Sequence, residues 1–415
     1  MNNKKNYKIR NNAFFENSMN INNPKWSNCI ERNSKLYQRY DDIRSDFSRD
    51  FNRILHCTAY RRLKHKTQVF FSPSNDHICT RIEHVNHVTS ISYTIANFLG
   101  LNTELTNAIA IAHDIGHTPF GHAGEKILND ISNTEFNLDF SHEFNGLNFV
   151  DNIETLEDPN GNYQNLNLTY AVRDGIVCHC GEVDEQNIFP RNDFIDLEII
   201  QKANEYNPYT WEGCVVKISD KIAYLGRDIE DAILLEILSE SQLKKLISSI
   251  KNFRKIKIEE INNAIIIHDL ILDICKNSSL ENGISLSDEF YQIMKTLKEF
   301  NYDNIYYHPR LKIYKKYADF VINTIFQILI EMYDNKNTYD NIKKYSKIYP
   351  LLIKTFSEWL MKLSRNSTLP ESIKYQNKKL YNLMNHTDYC KSIIDYISGM
   401  TDLFAIKVFN EIMRF

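Results

Sequence analysis

The chain has little of what punctuates a β-rich protein. Only 12 glycines and 9 prolines interrupt its 415 residues. Sheets of that size need more turn formers, so an all-α fold is expected. No window approaches 18 consecutive apolar residues, and no membrane span is expected. The first residues, MNNKKNYKIRNN, lack the apolar stretch of a signal peptide, so a cytoplasmic protein is expected. The 8 cysteines contain no CxxC pair. A chain this large needs no disulfide staples, and reduced thiols follow. Charge of one sign is also missing: the formal net charge is −4 and the pI about 6.4. That removes any global electrostatic footprint for nucleic acid.

What is present is concentrated. Six of the 13 histidines lie between His84 and His142. The run HDIGHTPFGHAGE at 113–125 holds His113, Asp114, His117, His122 and Glu125. Imidazole and carboxylate together make a site for a divalent metal. The remaining histidines and the glutamate are candidates for proton transfer beside it.

The surrounding pattern is helical. Residues 1–35 are polar and Asn-rich and read as a loose arm. Ile43, Phe47, Phe51 and Ile54 place a helix between Tyr40 and Val69, and Ser72–Asp76 reads as a loop. Residues 81–99 carry the apolar stripe Val85, Val88, Ile91, Ile95 and Phe98, stopped by Gly100. A short buried helix runs from Glu104 into His113. The stretch 151–167 reads as a surface loop, and a small hairpin fits best within 182–208. From Leu168 to His179 the pattern is again helical. The expected layout is a catalytic core over 36–240 and further helices packed on it over 241–415.

The helix at 211–235 has two faces. Val215, Ile218, Ile222, Leu225 and Ile229 form a core stripe. Asp220, Tyr224, Arg227/Asp228 and Asp231 form a polar one, which reads either as a solvated face or as the lining of a site. His84 alone reads as a hydrogen-bonded core histidine. With His113, Asp114 and Asp220 brought in by packed helices it becomes one of four metal ligands, leaving open positions for water and a phosphate oxygen.

Longer blocks carry a family likeness: FNRILHCTAYRRLKHKTQVF at 51–70, TRIEHV at 80–85, LNLTYAVRDGIVCH at 166–179, SDKIAYLGRDIEDAI at 219–233 and YISGMTD at 396–402. With HDIGHTPFGHAGE they resemble the HD-domain metal phosphohydrolases. Among these the chain is most similar to the dGTPase-like deoxynucleoside triphosphate (dNTP) triphosphohydrolases. The resemblance implies one divalent ion, Mn²⁺ or Mg²⁺ first and Fe, Co, Ni or Zn as alternatives. Its ligands would be His84, His113, Asp114 and Asp220. It implies reaction-centre roles for His117, His122, Glu125 and His142. Arg81, Lys221 and Tyr224 match phosphate-binding positions, Asp228 a contact to the sugar 3′-hydroxyl, and Gln68 and Val69 a deoxyribose-reading pair. The implied reaction is hydrolysis at the α-phosphorus to deoxynucleoside and triphosphate.

Thr118 and Lys221 depart from the pattern of some members. Arg61, Arg62 and Lys64 read equally as surface charge, ion pairs or phosphate ligands. Arg173 and Asp174 read as a pair that caps its own segment, and the CHC at 178–180 as part of a helix end rather than a thiolate metal site. A hydrolase of another nucleotide, such as a 5′-mononucleotide or a guanosine tetraphosphate-type signal, is the alternative. A non-enzymatic nucleotide sensor is a third reading. The family also implies a homo-oligomer (dimer or hexamer) and a dNTP activator. Lys343-Lys344 and Lys378-Lys379 read as solvated charge or as single-strand contacts.

Overall fold

The computed structural model describes residues 12–37, 41–71, 75–180, 185–253, 263–365 and 375–414. Ser72–Ser74 of the expected loop, Tyr40, and the first residues of the expected arm lie outside them. Seventeen α-helices occur among the described residues. They are α1 (Trp26–Cys29), α2 (Asp46–His56), α3 (Thr58–Arg62), α4 (Arg81–Leu99), α5 (Thr103–Ala112), α6 (Gly121–Phe136), α7 (His142–Asn148), α8 (Tyr170–Val177) and α9 (Trp211–Leu234). There follow α10 (Glu240–Phe253), α11 (Asn263–Asn277), α12 (Asp288–Asn301), α13 (Pro309–Ile330), α14 (Thr338–Lys344), α15 (Pro350–Leu363), α16 (His386–Ser398) and α17 (Asp402–Met413). The fold is all-α, with two small antiparallel sheets among the described residues. No described helix is long and apolar enough to cross a membrane.

Local signals set the helices that matter most. Glu83 reaches back to the Thr80 N–H at 2.8 Å, opening α4 with a capping box. Gly100 closes it at φ +83°, a conformation that favours glycine. The Asn102 side chain accepts from Glu104 and Leu105 N–H and starts α5. Ala108, Ile109, Ala110 and Ala112 are fully buried, so α5 runs through the interior. It packs against α2, α4, α8 and α9. Thr210 caps α9 by accepting from Gly213 N–H at 3.1 Å.

Three local expectations change. The expected helix between Tyr40 and Val69 is two helices and a turn. Ser45 caps α2, which leaves Ile43 outside it and 99% exposed. Cys57 then turns extended and its sulfur caps α3. The polar segment read as an arm is packed over its described part. Phe14 and Met19 are buried, and Met19 N–H donates to buried Glu212 at 2.9 Å. The same Glu212 oxygen accepts from Asn102 N–H, tying that segment to the α4–α5 connector. A hairpin forms at 155–165, inside the expected loop, pairing Thr155–Glu157 with Tyr163–Asn165. Within the described part of 182–208, Asn187–Ile188 pair instead with the distant Ile284–Ser285.

The C-terminal helices close over one end of the core. α13 packs on α6, α16 and α17, while α11 and α12 lie against α9. A buried clasp joins three distant segments. Asp402, at the start of α17, accepts from Thr67 N–H and Phe120 N–H, both at 2.9 Å, and from the Thr67 hydroxyl. Buried Lys66 donates to the Ser398 carbonyl at 3.0 Å and to that of His117.

Candidate active site

Three packed helices bring the expected metal ligands together. His84 projects from α4, His113 and Asp114 follow α5, and Asp220 lies on α9. His84 Nε2 sits 2.9 Å from Asp220 Oδ1 and 3.7 Å from Asp114 Oδ2. His113 Nε2 sits 3.5 Å from Asp114 Oδ1 and 3.7 Å from Asp220 Oδ1. Donors bound about 2.1 Å from one ion lie roughly 3–4 Å apart, so this set fits a divalent cation.

An orphaned atom strengthens the fit. His113 Nδ1 lies 2.7 Å from the Ala110 carbonyl, which fixes the proton there. Its Nε2 is buried and has no hydrogen-bond partner among the described residues. Burial pushes His113 down to about 4, despite Asp114 and Asp220, so the ring is a neutral donor of a lone pair. Burial raises Asp114, but His117, His113 and Arg81 outweigh it and hold the carboxyl well below its usual range.

A second cluster adjoins the first. His117 Nε2 lies 2.9 Å from Asp114 Oδ1 and stacks on His142 with ring centroids 3.9 Å apart. Glu125 holds two imidazoles: His122 Nδ1 at 3.0 Å and His142 Nδ1 at 2.8 Å. It also accepts from His142 N–H at 2.7 Å, at the start of α7. Burial lowers His142, but the Glu125 and Glu143 carboxylates outweigh it and push the ring up to about 10.

Backbone conformation makes this junction possible. Phe120 and Gly121 both take positive φ, 65° and 59°. At Gly116 a Cβ would fall 2.1 Å from the His142 carbonyl oxygen and 2.2 Å from Gly146 N. Both neighbours are backbone, so Gly116→Ala must move α7 and with it His142. The expected result is a loss of at least about 3 kcal/mol, the upper end for overpacking. Denaturant unfolding measures it, and an unchanged midpoint would exclude the close approach.

Above the clusters is a cavity of about 370 Å³, a volume typical of small-molecule sites. Gln68, Val69, Arg81, Tyr224 and Asp228 all line it. Gln68 Oε1 is buried and has no hydrogen-bond partner among the described residues. Arg81 is already engaged: it donates to Asp114 Oδ2 at 2.9 Å and to the Thr67 and Gln68 carbonyls. Lys221 is 3% exposed and is not among the lining residues. The polar stripe of α9 faces inward, since Asp228 and Asp231 are each 2% exposed. Burial raises Asp228 to about 6, against the bond it accepts from Tyr306.

Sequence reasoning missed one side of the cavity. Tyr302, Tyr306 and Tyr307, at and just after the end of α12, line it together with Tyr314 and Lys315 of α13. These residues belong to no recognisable motif; the aromatic density of YDNIYY was the only signal. His179 also lines it, with its ring centroid 5.1 Å from His113 and 5.3 Å from His142. No cluster of potential metal ligands among the described residues includes Cys178 or Cys180.

Three of the doubtful cations, Arg61, Arg62 and Arg173, have partners within the fold. Arg62 pairs with Glu154 at 2.8 Å, and Arg61 donates to the His56 carbonyl. Arg173 and Asp174 do not pair with each other. Arg173 pairs with Asp151 at 2.6 Å, and Asp174 with Arg191.

A helical core that sets His, His-Asp and a distant Asp against one cavity defines the HD-domain phosphohydrolases, and the HD domain family model matches residues 81–225. HD domains bind divalent metals, and the His/Asp cluster described above could hold one. Similar proteins extend across nearly the whole chain. A deoxyguanosinetriphosphate triphosphohydrolase-like protein of Caldanaerobacter subterraneus is 33% identical over 371 residues, 89% of this chain and 86% of its own. One from Clostridium tetani is 32% identical, covering 91% and 88%. Another from Rickettsia bellii is 31% identical, covering 93% and 96%. The chain belongs to this deoxyguanosinetriphosphate triphosphohydrolase-like family and is a phosphohydrolase.

Proposed function

We propose that the protein hydrolyses deoxynucleoside triphosphates at the α-phosphorus, releasing a deoxynucleoside and intact triphosphate. One observation carries this reading. A single cavity, lined by His84, Asp114 and Asp220 with His113 behind them, also takes in a carboxylate-held histidine pair and a tyrosine-rich compartment. A nucleotide has the same three parts: phosphates, a scissile ester and a flat base.

His84, His113, Asp114 and Asp220 would hold the metal, with Mn²⁺ or Mg²⁺ the first choices for this ligand set. When bound, the ion supplies positive charge against the α-phosphoryl oxygens and lowers the pKa of water. The protein residues do the rest. Glu125 orients His122 and His142 for proton transfer at the bridging 5′-oxygen or the attacking water. His117 lies between Asp114 and the His142 ring. Arg81 keeps Asp114 and the Gln68 loop in place, and Lys315 offers a cation at the cavity edge for the outer phosphates. Asp228, bonded to Tyr306, suits a sugar hydroxyl, with Gln68 and Val69 beside the deoxyribose.

The test is direct. The protein is incubated with each dNTP and Mn²⁺ or Mg²⁺, alongside 5′-mononucleotides and guanosine tetraphosphate, and the products are separated. Triphosphate and deoxynucleoside in equal amounts are expected. Orthophosphate or pyrophosphate as the main product, or turnover of the monophosphates alone, defeats the proposal.

A further inference from the structure

Far from the cavity, α6 and α16 bring a third set of ligating side chains together. Glu135 lies near the end of α6, thirteen residues beyond His122. At 1.5 Å per residue that is about 20 Å along the helix. His386 opens α16, and Cys390 follows one turn later on the same face. Cys390 Sγ lies 3.6 Å from His386 Nδ1 and 3.9 Å from Glu135 Oε2. One ligand atom from each residue falls within 4.8 Å of the others.

The sulfur-to-nitrogen distance matches tetrahedral coordination. Zinc sits about 2.3 Å from thiolate sulfur and about 2.0–2.1 Å from imidazole nitrogen, which places the two donors roughly 3.6 Å apart. A single cation would accept a lone pair from all three residues at once. The ring of His386 is braced edge-on by Tyr333, centroids 5.0 Å apart. His386 and Glu135 face solvent while Cys390 is buried beneath them.

We propose that Glu135, His386 and Cys390 form a zinc site, with water in the fourth position. The donor set includes sulfur, which the His₂Asp₂ cluster lacks, and so favours zinc over Mg²⁺ or Mn²⁺. Binding breaks the Cys390 S–H bond; the proton passes to solvent and the sulfur electron pair forms the bond to zinc, with no change in oxidation state. The ion pins α6, which carries His122 and Glu125, to α16, which leads into the Asp402 clasp. It acts as a structural staple and takes no part in the hydrolysis.

Cobalt substitution of the full chain tests this. Co²⁺ is expected to give a thiolate-to-metal charge-transfer band that Cys390→Ser and His386→Ala abolish and Cys180→Ser keeps. After dialysis against zinc, the wild type should retain one more equivalent than Cys390→Ser. Glu135→Ala, a change at the surface, should weaken zinc affinity at least tenfold while leaving the zinc-free melting temperature unchanged. No thiolate band in the wild type, a band that survives Cys390→Ser, or unaltered zinc affinity in Glu135→Ala overturns the site.

Discussion

Glu125→Ala should lower turnover by about 10²–10⁴-fold, the range that positioned general acid–base groups contribute. The effect is large because one carboxylate serves two imidazoles and a backbone N–H. Its removal frees the His122 ring, leaves the His142 ring without its partner, and strips the start of α7 of an acceptor. Glu125 is not one of the four proposed ligands His84, His113, Asp114 and Asp220, so on that proposal metal content should be unchanged. Glu125→Gln retains an acceptor for the His142 N–H but has no charge to hold an imidazolium. Its rate should fall between those of the wild type and the alanine variant. Steady-state rates with dNTP, set beside bound-metal analysis, measure both. Turnover of Glu125→Ala within tenfold of wild type would remove these histidines from the chemistry.

The second large effect is expected far from any reacting atom. Asp402→Ala leaves the Thr67 N–H, the Thr67 hydroxyl and the Phe120 N–H buried without their acceptor. Each orphaned donor costs about 1–3 kcal/mol, so a loss of at least about 3 kcal/mol is expected. The two loops released are those that present Gln68 and Val69 on one side and Phe120 on the other. KM should therefore rise more than kcat falls, whereas general destabilisation would lower the active fraction and leave KM alone. Urea unfolding and a KM-against-kcat comparison separate the two. Stability within 1 kcal/mol of wild type, on the order of one ordinary hydrogen bond, would show that the clasp does not hold the site together.

The expected ligands could be placed from spacing because each lies on or directly after a helix with a clear apolar pattern. His113-Asp114 follows a helix whose apolar run marks it as buried, and His84 and Asp220 lie on strongly periodic helices. Such short-range patterns survive in a single sequence. What spacing could not show was contact across hundreds of residues. Asp402 meets Phe120 from 282 positions away, and Tyr306 meets Asp228 from 78. YISGMTD was recognisable as a block without any hint that its aspartate buries itself behind the Gln68 loop. Ile43 was misassigned because it fits the apolar spacing of α2, yet the Ser45 cap begins that helix after it.

The cavity is assembled from two separate stretches of chain: residues near 68–228 provide the ligands and proton carriers, and 302–315 the tyrosines and the lysine. This separation has an evolutionary consequence. On the proposed function, substitutions in the later stretch would retune nucleotide recognition while the proposed metal ligands stay intact. The same separation makes the later stretch a practical target for laboratory selection. A library confined to Tyr302, Tyr307, Tyr314 and Lys315 varies recognition without altering the metal ligands. Tyr306 is best left out of that library, because its hydroxyl is bonded to Asp228 of the earlier stretch.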